Sequence, residues 1–230
     1  MSVRRTVATR IGQQLAPKMT EIAPGMTSSF VREALHRAIA GVGPLPAAAK
    51  AADAQLKEQA GDVEKAIHEV IENHVRFAGA QGFVTNIGGV VTGMVTIPAN
   101  ITGLALVQCR MIAGIAHLRG YDLDDPRVRN AILGCLMGED TVKRLVKKRQ
   151  LPAHPADLAT GPAHDEALSR TITTEVAADL VSRVAGKRLA VTVGRRVPVV
   201  GGVVGMSADG YATWKIGRYA ERELRPLTTR

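Results

Sequence analysis

Apolar positions recur at helical spacing along most of the chain, and in one stretch the charged face disappears. After Asp62, the residues Val63, Ala66, Ile67, Val70, Ile71, Val75 and Ala78 repeat every three or four positions, the period of one helix face. Glu64, Glu69 and Glu72 fall outside this stripe, and His74 falls on it. Asp62, following Gly61, is the expected N-cap. The helix then runs, with no break signal, into Phe77 to Cys109, which holds no Asp, Glu, Lys, Arg or His and is bounded by Arg76 and Arg110. Pro98 suits the first turn of a new helix and divides the run. The pattern predicts helices over 77–96 and 97–118, each about 30 Å long. They form an antiparallel hairpin with its tip near Ile97–Asn100, and Gly120 closes the second helix. A run of this length raises the question of a membrane span. Its glycines and threonines add little to insertion, and Gln81, Thr85 and Asn86 would need partners in hydrocarbon. The buried centre of a soluble bundle is therefore the favoured environment, with bilayer entry as the alternative.

The flanking pattern is also helical. Ser28 or Ser29 is read as the cap of a helix carrying Phe30, Val31, Ala34, Leu35, Ala38 and Ile39, stopped by Gly43-Pro44-Leu45-Pro46. An Ala-rich helix follows over 47–60. Asp125 and Pro126 read as N-cap and first residue of a helix with Val128, Ile132, Cys135 and Leu136, which Gly138 breaks or bends. Asp140 is read as the next cap, with Val142, Leu145 and Val146 inward and Lys143, Arg144, Lys147, Lys148 and Arg149 outward. The Pro-rich 150–164 reads as a loop. From Asp165, Leu168, Ile172, Val176, Leu180 and Val184 give a helix ending near Gly186. A second uncharged run, Val197 to Ala208, repeats the theme, again opened by a proline, and the LAVTV before it is read as helical. Tyr211, Trp214, Ile216 and Tyr219 mark the last helix. The fold class expected is all-α, a single multi-helix domain over 28–225 built around a Gly-rich apolar helical hairpin, behind a basic tail over 1–27. Gly89 with Gly93, and Gly201 with Gly205, are each four apart and offer faces for close backbone approach. Leucine at any of them should cost about 1–3 kcal/mol by overpacking.

Composition sharpens this picture only in part. The 230 residues include three Phe, three Tyr and one Trp, so aliphatic side chains must fill the core. Cys109 and Cys135 lack CxxC spacing and read as buried thiols of a reducing compartment, a single disulfide being the alternative. The N-terminal segment has early arginines without an apolar core, so a secretory signal is not expected. Thirty basic against 21 acidic residues give +9, which points towards an anionic partner or simply aids solubility. Arg76 and Arg110 flank the first uncharged run, Arg195 and Arg196 precede the second, and Lys143, Lys147 and Lys148 form a further basic group. Basic side chains beside an apolar stretch suit an anionic membrane surface. A nucleic-acid partner is disfavoured, since no stacking aromatics or known module accompany the charge.

Catalytic patterns are sparse. His68 and His74 are six apart, off the spacing for a metal pair on one helix face. Asp122, Asp124 and Asp125 resemble part of a calcium loop, but the later glycine and glutamate are missing and helix capping accounts for them. His117, five residues earlier, could meet one of these aspartates as a polar, hydrolase-like site. Gly205-Met206-Ser207-Ala208-Asp209 lacks the nucleophile-elbow pattern, and no phosphate-binding glycine loop occurs. No catalytic residue, metal ligand or cofactor is therefore assigned.

The stretch from Gly79 to Asp140 (GAQGFVTNIGGVVTG through GCLMGED) resembles the core of the bacterial EcsC family. Gly194-Arg195-Arg196-Val197-Pro198-Val199-Val200-Gly201-Gly202 is similar to that family's KRVPLLGG-type segment. The GRYAERE ending and the earlier Gly-Val-Gly-Pro-Leu-Pro also fit, so the resemblance covers about Ile39 to Glu223. The family has no established reaction and carries over no catalytic residue. The ABC-transporter operon beside its founding gene implies a setting at the membrane or in secretion. The function expected is a non-enzymatic, lipid-binding protein, cytoplasmic or peripheral to the inner membrane face. Its rival is a soluble interaction module burying the hairpin in its own core, in a partner or in a second copy.

Overall fold

The computed structural model describes residues 24–41, 46–84, 99–162, 165–194 and 208–227. Among them are nine α-helices and no strand: α1 Pro24–Ala40, α2 Ala48–Glu58, α3 Val63–Val84, α4 Ala99–Leu118, α5 Pro126–Met137, α6 Glu139–Lys147, α7 Pro155–Thr160, α8 Glu166–Gly194 and α9 Ala208–Glu223. The protein is an all-α bundle whose central element is α4, packed by α1, α2, α3, α5 and α9. Every residue from Val107 to Ala116 is buried. A helix segment buried on all sides needs apolar character all round; the uncharged run supplies Val107, Gln108 and Cys109, and Met111 to Ala116 continue it past the single charge of Arg110. The stretch 107–116 of the second hairpin helix is thus bundle core, while 85–98, with the expected hairpin tip, lie outside the described residues. No helix of the described residues is long and apolar enough to cross a membrane.

The local signals work as elementary chemistry requires. Asp62 caps α3, its carboxylate accepting from the Lys65 N–H at 3.1 Å. Gly120, at φ +86°, ends α4. Its N–H donates to the His117 carbonyl at 2.9 Å and the Tyr121 N–H donates to the Ala116 carbonyl at 3.0 Å. These two bonds satisfy carbonyls that the helix end leaves open. Asp125 caps α5 with Pro126 in its first turn. The stripe on α3 is buried from Ala66 to Ala78 as its spacing demands.

Four local expectations are corrected. Helix α1 begins at Pro24, so Ser28 and Ser29 lie inside it and do not cap it. Proline is already set for a first helical turn, which moves the start forward. Gly138, at φ +80°, both ends α5 and precedes α6, leaving Asp140 in the first turn and not at the cap. The expected loop over 150–164 contains α7, because Pro155, Leu158 and Ala159 are buried. Gly134 makes room: a Cβ there would lie 3.1 Å from Pro155 Cγ. Helix α8 continues through Gly186 to Gly194. An interior glycine costs only about 1 kcal/mol, and no proline follows before Pro198.

Cys109 and Cys135 are free, buried thiols. Burial pushes the Cys109 thiol up to about 12. Burial, with the Glu223 charge second, raises Cys135 well above the usual thiol value.

Candidate functional site

Three helix ends meet at one pole of the bundle. Near the end of α3, Gly79 faces Gly210 in the first turn of α9: a Cβ on Gly210 would lie 3.5 Å from the Val75 carbonyl oxygen and 3.8 Å from Gly79 Cα. Lower on α9, the buried Thr213 hydroxyl accepts from Gln108 Nε2 of α4 at 3.1 Å. The end of α3 and the starts of α4 and α9 therefore sit together. The uncharged segment over 85–98 joins the first two, and the run ending at Ala208 leads into the third.

The rim of this pole is apolar and aromatic. Tyr211 and Trp214, one turn apart on α9, stack with ring centroids 6.0 Å apart. Both are exposed, as is Phe77 on α3. A packed protein gains by covering such rings, so their exposure close to the charge-free segments is notable. Arg76, beside Phe77, is exposed and at 4.0 Å from Glu72.

Arg110 is not a surface residue. The sequence placed it at the border of the uncharged run, but only 8% of it is exposed. The register of α4 turns it into the seam with α3, one turn above the contact of Gly114 with Val70. Desolvation lowers its pKa. His74 of α3 lies near, and its Nδ1 is 2.7 Å from the Val70 carbonyl oxygen. Burial lowers the His74 pKa below the ordinary 6.5, the Val70 bond opposes this, and the Arg110 charge adds to the lowering. The native state thus binds fewer protons here than the unfolded chain. The sign follows: this contribution is constant above about pH 6.5 and falls as pH drops towards the native value. Wild type should lose more stability than His74→Gln between about pH 7.5 and about pH 5. Equal losses in urea titrations of the two proteins would remove this assignment.

The remaining candidates are spread out. Lys143 is bound to Glu139 at 2.7 Å. Glu139 also accepts from Arg222 in the last turn of α9. That is roughly 20 Å along α9 from Ala208. Lys143, Lys147 and Lys148 are exposed, but the root of this group is not at the pole of Arg76. His117 does not meet the acidic turn; its Nε2 is 2.7 Å from Asp53 of α2. Asp122 accepts from the Asp124 N–H at 2.9 Å, Asp124 accepts from Arg129 at 2.9 Å, and Asp125 holds Arg127 at 2.6–3.1 Å. Arg127 in turn donates to the Gly161 carbonyl at 2.9 Å, tying down the end of α7. The acidic turn is thus a cap and a clamp. Gly89, Gly93, Gly201, Gly205, Arg195 and Arg196 lie outside the described residues. Sequence spacing did not single out Gln108, Thr213, Gly210 or Gly217, whose roles depend on partners distant in the chain.

The EcsC protein family model matches residues 1–226, nearly the whole chain. This chain belongs to the EcsC family. The match extends beyond the segments that carried the resemblance and takes in the basic N-terminal residues. No curated protein and no solved structure matches this EcsC chain. Among the described residues, no group of three or more His, Cys, Asp or Glu is placed to hold a metal ion.

Proposed function

We propose that this EcsC-family protein is a peripheral, non-enzymatic lipid-binding protein that docks on the anionic inner face of a membrane by the pole where α3 ends and α4 and α9 begin. The observation that carries the reading is the exposed Tyr211–Trp214 stack beside helix ends that lead into charge-free segments. Tyrosine and tryptophan favour the headgroup level because one part of each ring system is apolar and another can hydrogen-bond. Arg76 supplies charge there, and a basic side chain near an anionic surface contributes about 1 kcal/mol. With α4 enclosed by other helices, the contact is interfacial docking by the rim and its connecting segments.

Trp214 is the chain's one tryptophan, so the test has a built-in signal. Vesicles containing phosphatidylglycerol should shift its emission to the blue and carry the protein into the pellet, and added salt should reverse both. Neutral phosphatidylcholine vesicles should do much less. A protein that stays in the supernatant with unshifted emission, whatever the lipid, sinks the proposal. The enclosure of α4 gives some weight to a soluble interaction module. Concentration-dependent self-association, with no vesicle binding, would favour that second reading.

A further inference from the structure

The end of α6 carries a dense group of cations. Arg144, Lys147, Lys148 and Arg149 are all exposed. No acidic residue occurs between Asp140 and Asp157. The acids that border α6 are already engaged: Glu139 with Lys143 and Arg222, Asp140 with Lys215, and Asp179 with Arg183. Lys147, Lys148 and Arg149 make no ion pair or side-chain hydrogen bond among the described residues. The negative end of the helix dipole favours cations here, and that alone accounts for the lysines. It does not account for Arg149, whose φ of +55° is left-handed. The Arg149 N–H donates to the Val146 carbonyl and the Gln150 N–H to the Leu145 carbonyl, each at 2.9 Å. Arg149 therefore occupies the position after a helix end where glycine is the usual residue. Gly61, Gly120 and Gly138 take positive φ at other helix ends. A side chain is strained there, and strain of this kind gathers at functional sites.

We propose that the end of α6 is a docking site for a carboxylate-rich segment of a partner protein. The guanidinium forks of Arg144 and Arg149 can each take a carboxylate through paired N–H bonds, and the lysines add point charge. Val142 and Leu145 of α6 are buried in the bundle, so this end offers charge without an apolar face to insert into a bilayer. Phe, Tyr and Trp, which would stack on nucleic-acid bases, are absent from 139–157. Membrane docking at the aromatic rim uses Arg76, Tyr211 and Trp214, so either contact can fail without the other.

The full chain is titrated with a fluorescein-labelled peptide of alternating glutamate and serine, read by anisotropy. Wild type should bind, and added salt should weaken the binding. The Lys147→Glu, Lys148→Glu double variant should bind about tenfold more weakly. Lys50→Glu with Lys57→Glu makes the same change of net charge on exposed lysines of α2 and should lose less than about twofold. Arg149→Gly should bind about threefold more weakly yet melt about 2 °C or more above wild type, because glycine relieves the backbone. Opposite signs for binding and stability separate docking from a merely structural role. Equal losses in the α6 and α2 double variants would reduce the effect to net charge and overturn the site. So would an Arg149→Gly variant that binds the peptide as tightly as wild type. If duplex DNA or phosphatidylglycerol vesicles depend on the α6 lysines and the peptide does not, the protein partner is overturned in favour of that polyanion. A Trp214 emission shift on vesicles that survives in the α6 double variant leaves membrane docking standing, whichever way the peptide result falls.

Discussion

Gly217→Leu is expected to lower the unfolding free energy by about 2–3 kcal/mol, while Gly210→Ala on the same helix leaves it unchanged or raises it by up to about 1 kcal/mol. The two glycines lie two turns apart on the buried face of α9. At Gly217 a Cβ would already sit 3.0 Å from Ile71 Cγ2 and 3.1 Å from both Ile71 Cγ1 and Met111 Sδ. Leucine adds further carbons to a space that α3 and α4 have filled, and the helix must move away to admit them. At Gly210 the added carbon meets the Val75 carbonyl oxygen at 3.5 Å and Gly79 Cα at 3.8 Å, ordinary contact distances. Alanine there gains helix propensity with no clash. Urea midpoints measured on both variants decide the matter. Coincident curves for Gly217→Leu and wild type would show that α9 does not pack on α3 at this range.

Arg183→Ala is expected to cost about 2–4 kcal/mol, and Asp179→Ala alone less. The Arg183 guanidinium donates to the Leu136 and Met137 carbonyls, each at 3.0 Å. These belong to the last turn of α5, whose carbonyls lack partners within the helix. Its Nε is also 2.7 Å from Asp179. Burial raises the Asp179 carboxyl pKa, while Arg183 beside it pulls the value down. Removing the arginine strands both a half-buried carboxylate and a helix end. Breaking a fully buried pair costs about 3–5 kcal/mol, and partial exposure here reduces that. A double-mutant cycle checks the assignment: the Asp179→Ala, Arg183→Ala double variant should be less destabilised than the sum of the singles. Additive losses would mean that the pair is not coupled.

How much of this was legible beforehand follows from where the information lies. The α3 stripe, the Asp62 and Asp125 caps and the Gly120 terminus are written in neighbouring residues, and they stand where the spacing put them. The burial at the centre of α4 was legible only in part, because the charge-free run ends at Cys109 and the buried stretch continues past Arg110 to Ala116. Helix α7 was not, because Pro155 is seated by Gly134, which comes from another part of the chain. The glycine faces expected at Gly89, Gly93, Gly201 and Gly205 lie outside the described residues; the close approach that is described uses Gly79 and Gly210, selected by how α9 lies across α3. Arg110 looked like a boundary charge because a linear reading cannot see that α4 turns it into the seam. His117 found Asp53, 64 positions earlier, which no local pattern announces.

The chain's other end offers a practical handle. The Leu227 N–H donates to the Arg119 carbonyl at 3.2 Å, fastening the stretch after α9 to the far tip of α4. A fluorophore or affinity tag placed behind it would ride at the far tip of α4, about 16 Å along that helix from Gln108, whose partner Thr213 lies between Tyr211 and Trp214. Such a label could report tethering or tumbling without obstructing the aromatic rim, whereas a fusion inserted near Ala208 would sit on top of it.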